Sequence, residues 1–140
     1  LLEELEGLRR TAARAEREAA GGRVEEIPLH SLPGGKYAAG RLDGFSMELL
    51  REAADRLRER MGSGVAVLAA VTEGRPLFVV GVTRHLASRV KAGELIKQIA
   101  AVAGGSGGGR PDFAQAGGKD AGKVDEALRK GVELVKEALG

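Results

Sequence analysis

Val65-Ala66-Val67-Leu68-Ala69-Ala70-Val71, followed by Glu73-Gly74-Arg75-Pro76 and then Leu77-Phe78-Val79-Val80-Gly81-Val82, sets the centre of a sheet around which the other elements must pack. The first run is apolar throughout and of strand length, which predicts a strand buried on both faces. Gly74 and Pro76 turn the chain. The second run returns as the other arm of a hairpin.

Helices flank this hairpin in the sequence. Upstream, Ser46 is a natural N-cap for a helix over about residues 47–61. Met47, Leu50, Ala54, Leu57 and Met61 repeat at intervals of three and four, Leu49 and Ala53 widen the stripe, and Gly62 closes it. Downstream, a helix over about 91–103 presents Leu95, Ile96, Ile99 and Ala100, and a last helix over about 121–139 presents Val124, Ala127, Leu128, Gly131, Val135 and Ala138. Residues 23–44 read as extended: Val24, Ile27 and Leu29 suggest a short strand that Pro28 confines to an edge, and a second strand runs from Lys36 to Leu42 after a Pro33-Gly34-Gly35 turn. Strands mixed with helices in this order predict an α/β fold of the α+β type, a small mixed sheet with packed helices.

The chain opens differently. Leu1, Leu5, Leu8, Ala12, Ala15 and Ala19 follow a heptad spacing, with charged residues around them. This predicts a coiled-coil helix that needs a partner, since an isolated helix of this length is marginal in water. Gly21-Gly22 ends it, dividing the chain into a helical segment at 1–22 and a globular unit at 23–140. A first residue that is not Met and already sits in a helical pattern gives the expectation of a larger parent.

Composition excludes several classes of function. There is no Cys, so thiolate metal sites, disulfides and cysteine nucleophiles are absent, in keeping with a reducing compartment and an expected cytoplasmic location. With 3% aromatic residues and no Trp, broad stacking platforms for single-stranded bases are unavailable. No apolar run approaches the roughly 20 residues of a membrane span, and no membrane partner is expected. His30 and His85 lie far apart with no carboxylate cluster beside them, so no metal site is assigned. No Ser-His-Asp or paired-carboxylate arrangement stands out, which predicts a non-catalytic domain. Net charge is only +2, but residues 75–123 hold 8 basic and 3 acidic side chains. That local excess suits a phosphate backbone, though ordinary surface variation produces as much.

Gly104-Gly105-Ser106-Gly107-Gly108-Gly109-Arg110-Pro111-Asp112-Phe113-Ala114-Gln115-Ala116-Gly117-Gly118-Lys119-Asp120 carries the functional signal. Alone, its first half reads as a flexible linker or as a loop whose backbone N–H groups approach an anion. It is not a Walker A loop: Phe113 stands where the first Gly is required, and Asp120 where Ser or Thr must follow Lys119. The dinucleotide fingerprint fails too, because the glycines follow a helix. A linker has no use for an anchored Phe113 between paired cations Arg110 and Lys119, which favours a ligand-binding loop.

Residues 107–118 resemble the signature of the C-terminal domain of alanyl-tRNA synthetases. Val90-Lys91-Ala92-Gly93-Glu94-Leu95-Ile96-Lys97, Leu49-Leu50-Arg51-Glu52-Ala53-Ala54-Asp55 and the strand pair at 65–82 are similar to the same family, so that the resemblance covers about residues 36–140. It implies a DHH-associated globular unit preceded by part of a coiled coil. The unit would contact the elbow of tRNA, alanine tRNA above all, and link aminoacylation with editing on domains elsewhere in the parent, an alanine–tRNA ligase. The helical part would support a homodimer through Leu1, Leu5, Leu8, Ala12 and Ala15. The parent's ATP, Mg and Zn would belong to those other domains, with no cofactor here. Arg110 and Lys119 are the expected phosphate contacts, the Gly107, Gly108 and Gly109 backbone the close-approach surface, and Lys91, Lys97 and Lys123 supporting charges. Two other readings stay open: the substrate-binding half of a DHH-type phosphoesterase or exonuclease, and a pure oligomerisation module.

Overall fold

The computed structural model describes Val24 and residues 26–140. The coiled-coil segment expected at 1–22, with Leu1, Leu5, Leu8, Ala12 and Ala15, lies outside the described residues. Those residues form a six-stranded sheet in the order β1-β2-β3-β4-β6-β5. The strands are β1 (His30–Leu32), β2 (Gly35–Arg41), β3 (Gly64–Thr72), β4 (Arg75–Val82), β5 (Ser106–Gly109) and β6 (Phe113–Gly117). The helices are α1 (Met47–Met61), α2 (Ala92–Val102) and α3 (Val124–Leu139). The β2–β3 pair is parallel and spanned by α1; the other neighbours run antiparallel. The expected mixed sheet with packed helices is what forms.

β3 explains the layering. Val65, Val67 and Ala69 face the core built with α2 and α3, whereas Ala66, Leu68 and Ala70 face the core under α1. Side chains alternate across a strand, so an unbroken apolar run is what a strand with a layer on each face requires. α1 begins and ends as its sequence demands. The Ser46 hydroxyl accepts from the Leu49 amide at 3.2 Å, and Gly62 stops the helix at φ 69° with its N–H on the Arg58 carbonyl.

The β3–β4 hairpin turns through Glu73 and Gly74, at φ 54° and 77°. Two successive left-handed residues match the tight turn that suits the twist of paired strands. A non-glycine residue pays for that conformation, so Glu73→Asn is expected to stabilise the domain by about 0.5–1 kcal/mol, Asn tolerating the left-handed region. A thermal melt checks this; an unchanged or lower midpoint would show that Glu73 carries no strain.

The strand expected over Val24, Ile27 and Leu29 forms elsewhere, as the short edge strand His30–Leu32. Ile27 instead lies across the face of β2, where a Cβ on Gly40 would come within 3.0 Å of its Cδ1. Pro28 has no N–H for a ladder, and pairing starts only beyond it. The larger difference is the glycine-rich stretch, which holds two strands of the sheet.

Candidate nucleic-acid interface

β5 and β6 form a hairpin with Pro111–Asp112 at its tip. Arg110 and Phe113 close it, exchanging backbone hydrogen bonds of 2.8 and 3.3 Å. Below that pair the glycines divide into two kinds. A Cβ on Gly109 would fall 2.5 Å from the Phe113 carbonyl oxygen, and one on Gly107 would fall 2.3 Å from Ala116 Cβ. One on Gly105 would fall 1.9 Å from the Gly117 oxygen. These three let β5 lie close against its neighbour. Gly108 is different: a Cβ there would meet nothing within 4 Å, and its φ is not in the left-handed range. Neither packing nor backbone conformation requires glycine at 108.

The hairpin tip is held from both sides. The Pro111 carbonyl accepts the Ala92 N–H at 2.9 Å, the first amide of α2, and the Asp112 carbonyl accepts the Val82 N–H at 2.8 Å. α2 lies so close to β5 that a Cβ on Gly93 would come within 3.1 Å of the Gly109 oxygen. Between them is a depression of about 260 Å³ lined by Lys91, Gly93, Glu94, Lys97, Gly108, Gly109 and Pro111. Lys91 is the N-cap of α2 and offers it no side-chain cap. The positive end of a helix dipole, two lysines and glycine backbone therefore face one space, with Glu94 as the opposing charge. Such a surface favours an anion with several oxygens.

The structure thus brings Lys91, Lys97, Gly108 and Gly109 together and sets Arg110 beside them at the tip. The Arg110 side chain is 77% exposed, and its nearest carboxylate, Asp112, stands 4.0 Å from Nε. Gly107 contributes to strand packing and not to the lining. Lys119 and Lys123 sit at the opposite end. The Lys119 amide bonds the Ala103 carbonyl at the end of α2, and Lys123 pairs with Glu126 at 3.3 Å. The whole of β6, about 17 Å of strand, separates Arg110 from Lys119, so one phosphate cannot touch both.

Sequence reasoning did not single out Arg58 or Arg84, the other cations at the tip's end of the sheet. Arg84 and His85 follow β4 and, with Arg58, Asp55, Glu59 and Asp112, line a second depression of about 480 Å³. The carboxylates there offset the cations, so it does not favour an anion as the first does. The local basic excess was the available signal, but it could not distinguish one end of the hairpin from the other. His30 stacks on Tyr37 with ring centroids 4.8 Å apart. Among the described residues no cluster of His, Cys, Asp or Glu could hold a metal ion, and no helix is long and apolar enough to cross a membrane.

Comparisons with known proteins give the context. Residues 34–137 match the DHHA1 domain family. The alanine–tRNA ligase of Anaeromyxobacter dehalogenans is 49% identical over 106 residues, which take in 76% of this chain and 12% of the ligase. The crystal structure of the C-Ala domain from Aquifex aeolicus alanyl-tRNA synthetase aligns with a TM-score of 0.70 at 34% identity, covering 81% of this chain and 98% of that domain. An exopolyphosphatase-related protein from Bacteroides fragilis aligns with a TM-score of 0.59 at 12% identity, covering 88% of this chain and 36% of that one, which shows a shared fold alone. The chain spans 12–15% of the length of the curated relatives it matches.

Proposed function

Because the chain belongs to the DHHA1 domain family, we propose that it is the non-catalytic tRNA-binding domain at the C-terminus of a cytoplasmic alanine–tRNA ligase. Its partner is the elbow of alanine tRNA, and its task is to keep one tRNA within reach of aminoacylation and editing sites elsewhere in the parent. The observation that carries this reading is the depression where Lys91 and Lys97 face the glycine backbone at 108 and 109. Folded RNA is held largely through shape, phosphates and 2′-hydroxyls. A surface with exposed cations, close backbone and few aromatics suits that mode. Dimerisation through the heptads at 1–22 completes the proposal. The phosphoesterase reading has only a likeness of fold in its favour.

Binding of alanine tRNA over a salt series tests the proposal. Each phosphate neutralised contributes about −0.9 to the log–log slope on a duplex. A slope of about −3 is expected, for Lys91, Lys97 and Arg110 together. Affinity indifferent to salt would remove phosphate contact as the basis of the interaction. Sedimentation distinguishes the pure oligomerisation module, which would dimerise and ignore RNA.

A further inference from the structure

Arg58 takes no part in the depression between α2 and β5, yet it reaches the hairpin tip from α1. It leaves α1 and crosses β4 at Gly81, which is paired with Phe113 across the β4–β6 ladder. A Cβ on Gly81 would lie 3.2 Å from Arg58 Cδ and 3.4 Å from its Nε. Gly81 is not in the left-handed region, so the missing side chain serves as a slot for the arginine. Beyond the slot, Nη1 donates to the Asp112 carbonyl at 3.2 Å and to the Val82 carbonyl at 3.5 Å, while Nη2 pairs with Asp55. Cζ lies 5.7 Å from the centroid of the Phe113 ring. The side chain is 23% exposed, against 77% for Arg110.

We infer that Arg58 is a positioning residue for RNA binding, fixing the Pro111–Asp112 tip from the far face of the sheet; this rests on the reading of the tip as part of the RNA interface. β6 is held by β4 along Phe113–Gly117, and the Pro111–Asp112 turn lies beyond that paired stretch. Both tip carbonyls are claimed, Pro111 by α2 and Asp112 by β4 and Arg58. Asp112 is therefore where α1 can set the geometry of its neighbour Arg110 and of the strand carrying Gly108 and Gly109. The planar guanidinium suits the task, because it spreads hydrogen bonds over two carbonyls and a carboxylate while stacking on a ring. Lysine has the charge without that fork.

Two variants separate positioning from contact. Arg58→Gln removes the clamp and one charge. Gly81→Val fills the slot and displaces Arg58 with every charge kept. Both are expected to weaken alanine tRNA binding by about fivefold to tenfold at temperatures well below unfolding, with the salt slope unchanged. Hydrogen exchange at the Phe113 and Ala92 amides is expected to quicken in both. Arg58→Lys is expected to restore little, and it stands in if Gly81→Val does not fold. The inference is overturned if Arg58→Gln binds tRNA as the unaltered domain does, or if it lowers the slope by about 0.9, which would make Arg58 a phosphate ligand itself. Recovery of affinity in Arg58→Lys would also overturn it, since charge alone would then suffice. An unaltered domain that fails to bind tRNA would instead overturn the RNA reading on which this rests, while the exchange rates would still report on the clamp.

Discussion

Changing Lys91, Lys97 and Arg110 together to Gln is expected to lower affinity for alanine tRNA about a hundredfold and to shorten the salt slope by about 2–3. Hydrogen bonds to charged groups are worth about 1.5–3 kcal/mol each. Solvent around these exposed side chains reduces that to about 1 kcal/mol apiece, and three such losses approach 3 kcal/mol, or about two decades in Kd. The matched variant, Lys119→Gln with Lys123→Gln, is expected to cost less than about threefold, because those residues stand beyond the other end of β6 and Lys123 already faces Glu126. Fluorescence titration of both variants in parallel decides the matter. Equal losses, or a larger loss at Lys119 and Lys123, would move the interface to the opposite end of the hairpin.

The second large effect concerns the glycines. Gly107→Val would drive a side chain into Ala116 Cβ and the Gln115 carbonyl, where even a Cβ stands 2.3 and 2.5 Å away. Backbone cannot yield as a flexible side-chain tip can. The strands must part, and the domain is expected to lose about 3 kcal/mol or more, a fall of roughly 10–20 °C in Tm. Gly108→Ala, one residue away, is expected to leave stability unchanged or raise it by up to about 1 kcal/mol, since the space is open and alanine restricts the unfolded chain. Its expected cost falls on function: if the proposed contact exists, the added methyl would hold a phosphate off the backbone, and affinity for tRNA would drop about fivefold. Thermal melts and tRNA titrations of the same two proteins supply the comparison. If Gly108→Ala binds like the unaltered domain, the backbone there is not an approach surface.

The extent to which this could be read in advance varied with the range of the interactions involved. α1 was legible to the residue, from Ser46 to Gly62, because capping and the spacing of Leu50, Ala54 and Leu57 are local. The β3–β4 hairpin was legible for the same reason. The glycine stretch was not, since what requires Gly105, Gly107 and Gly109 is the close approach of residues 113–117, four to twelve positions further on. In the sequence those three look the same as Gly108.

The candidate site divides along the same line. Lys91, Lys97 and Arg110 were identified by residue type and by resemblance, and they gather at one end of the hairpin. Lys119 looked like the partner of Arg110 because the two bracket one motif, but a strand lies between them. Arg58 carried no signal, as an arginine in an amphipathic helix reads as a solvated charge until its path across Gly81 is known.

The three helices, the β3–β4 hairpin and their order were legible from the chain alone, because hydrophobic period, caps and turns act over a few residues; the family was legible through the resemblance of residues 107–118. The folded chain was needed to show that β2 runs parallel to β3, that Ser106–Gly109 is an edge strand, and which cations share a space. Strand pairing joins residues far apart in the chain, and its register, not proximity in sequence, sets the distance between charges.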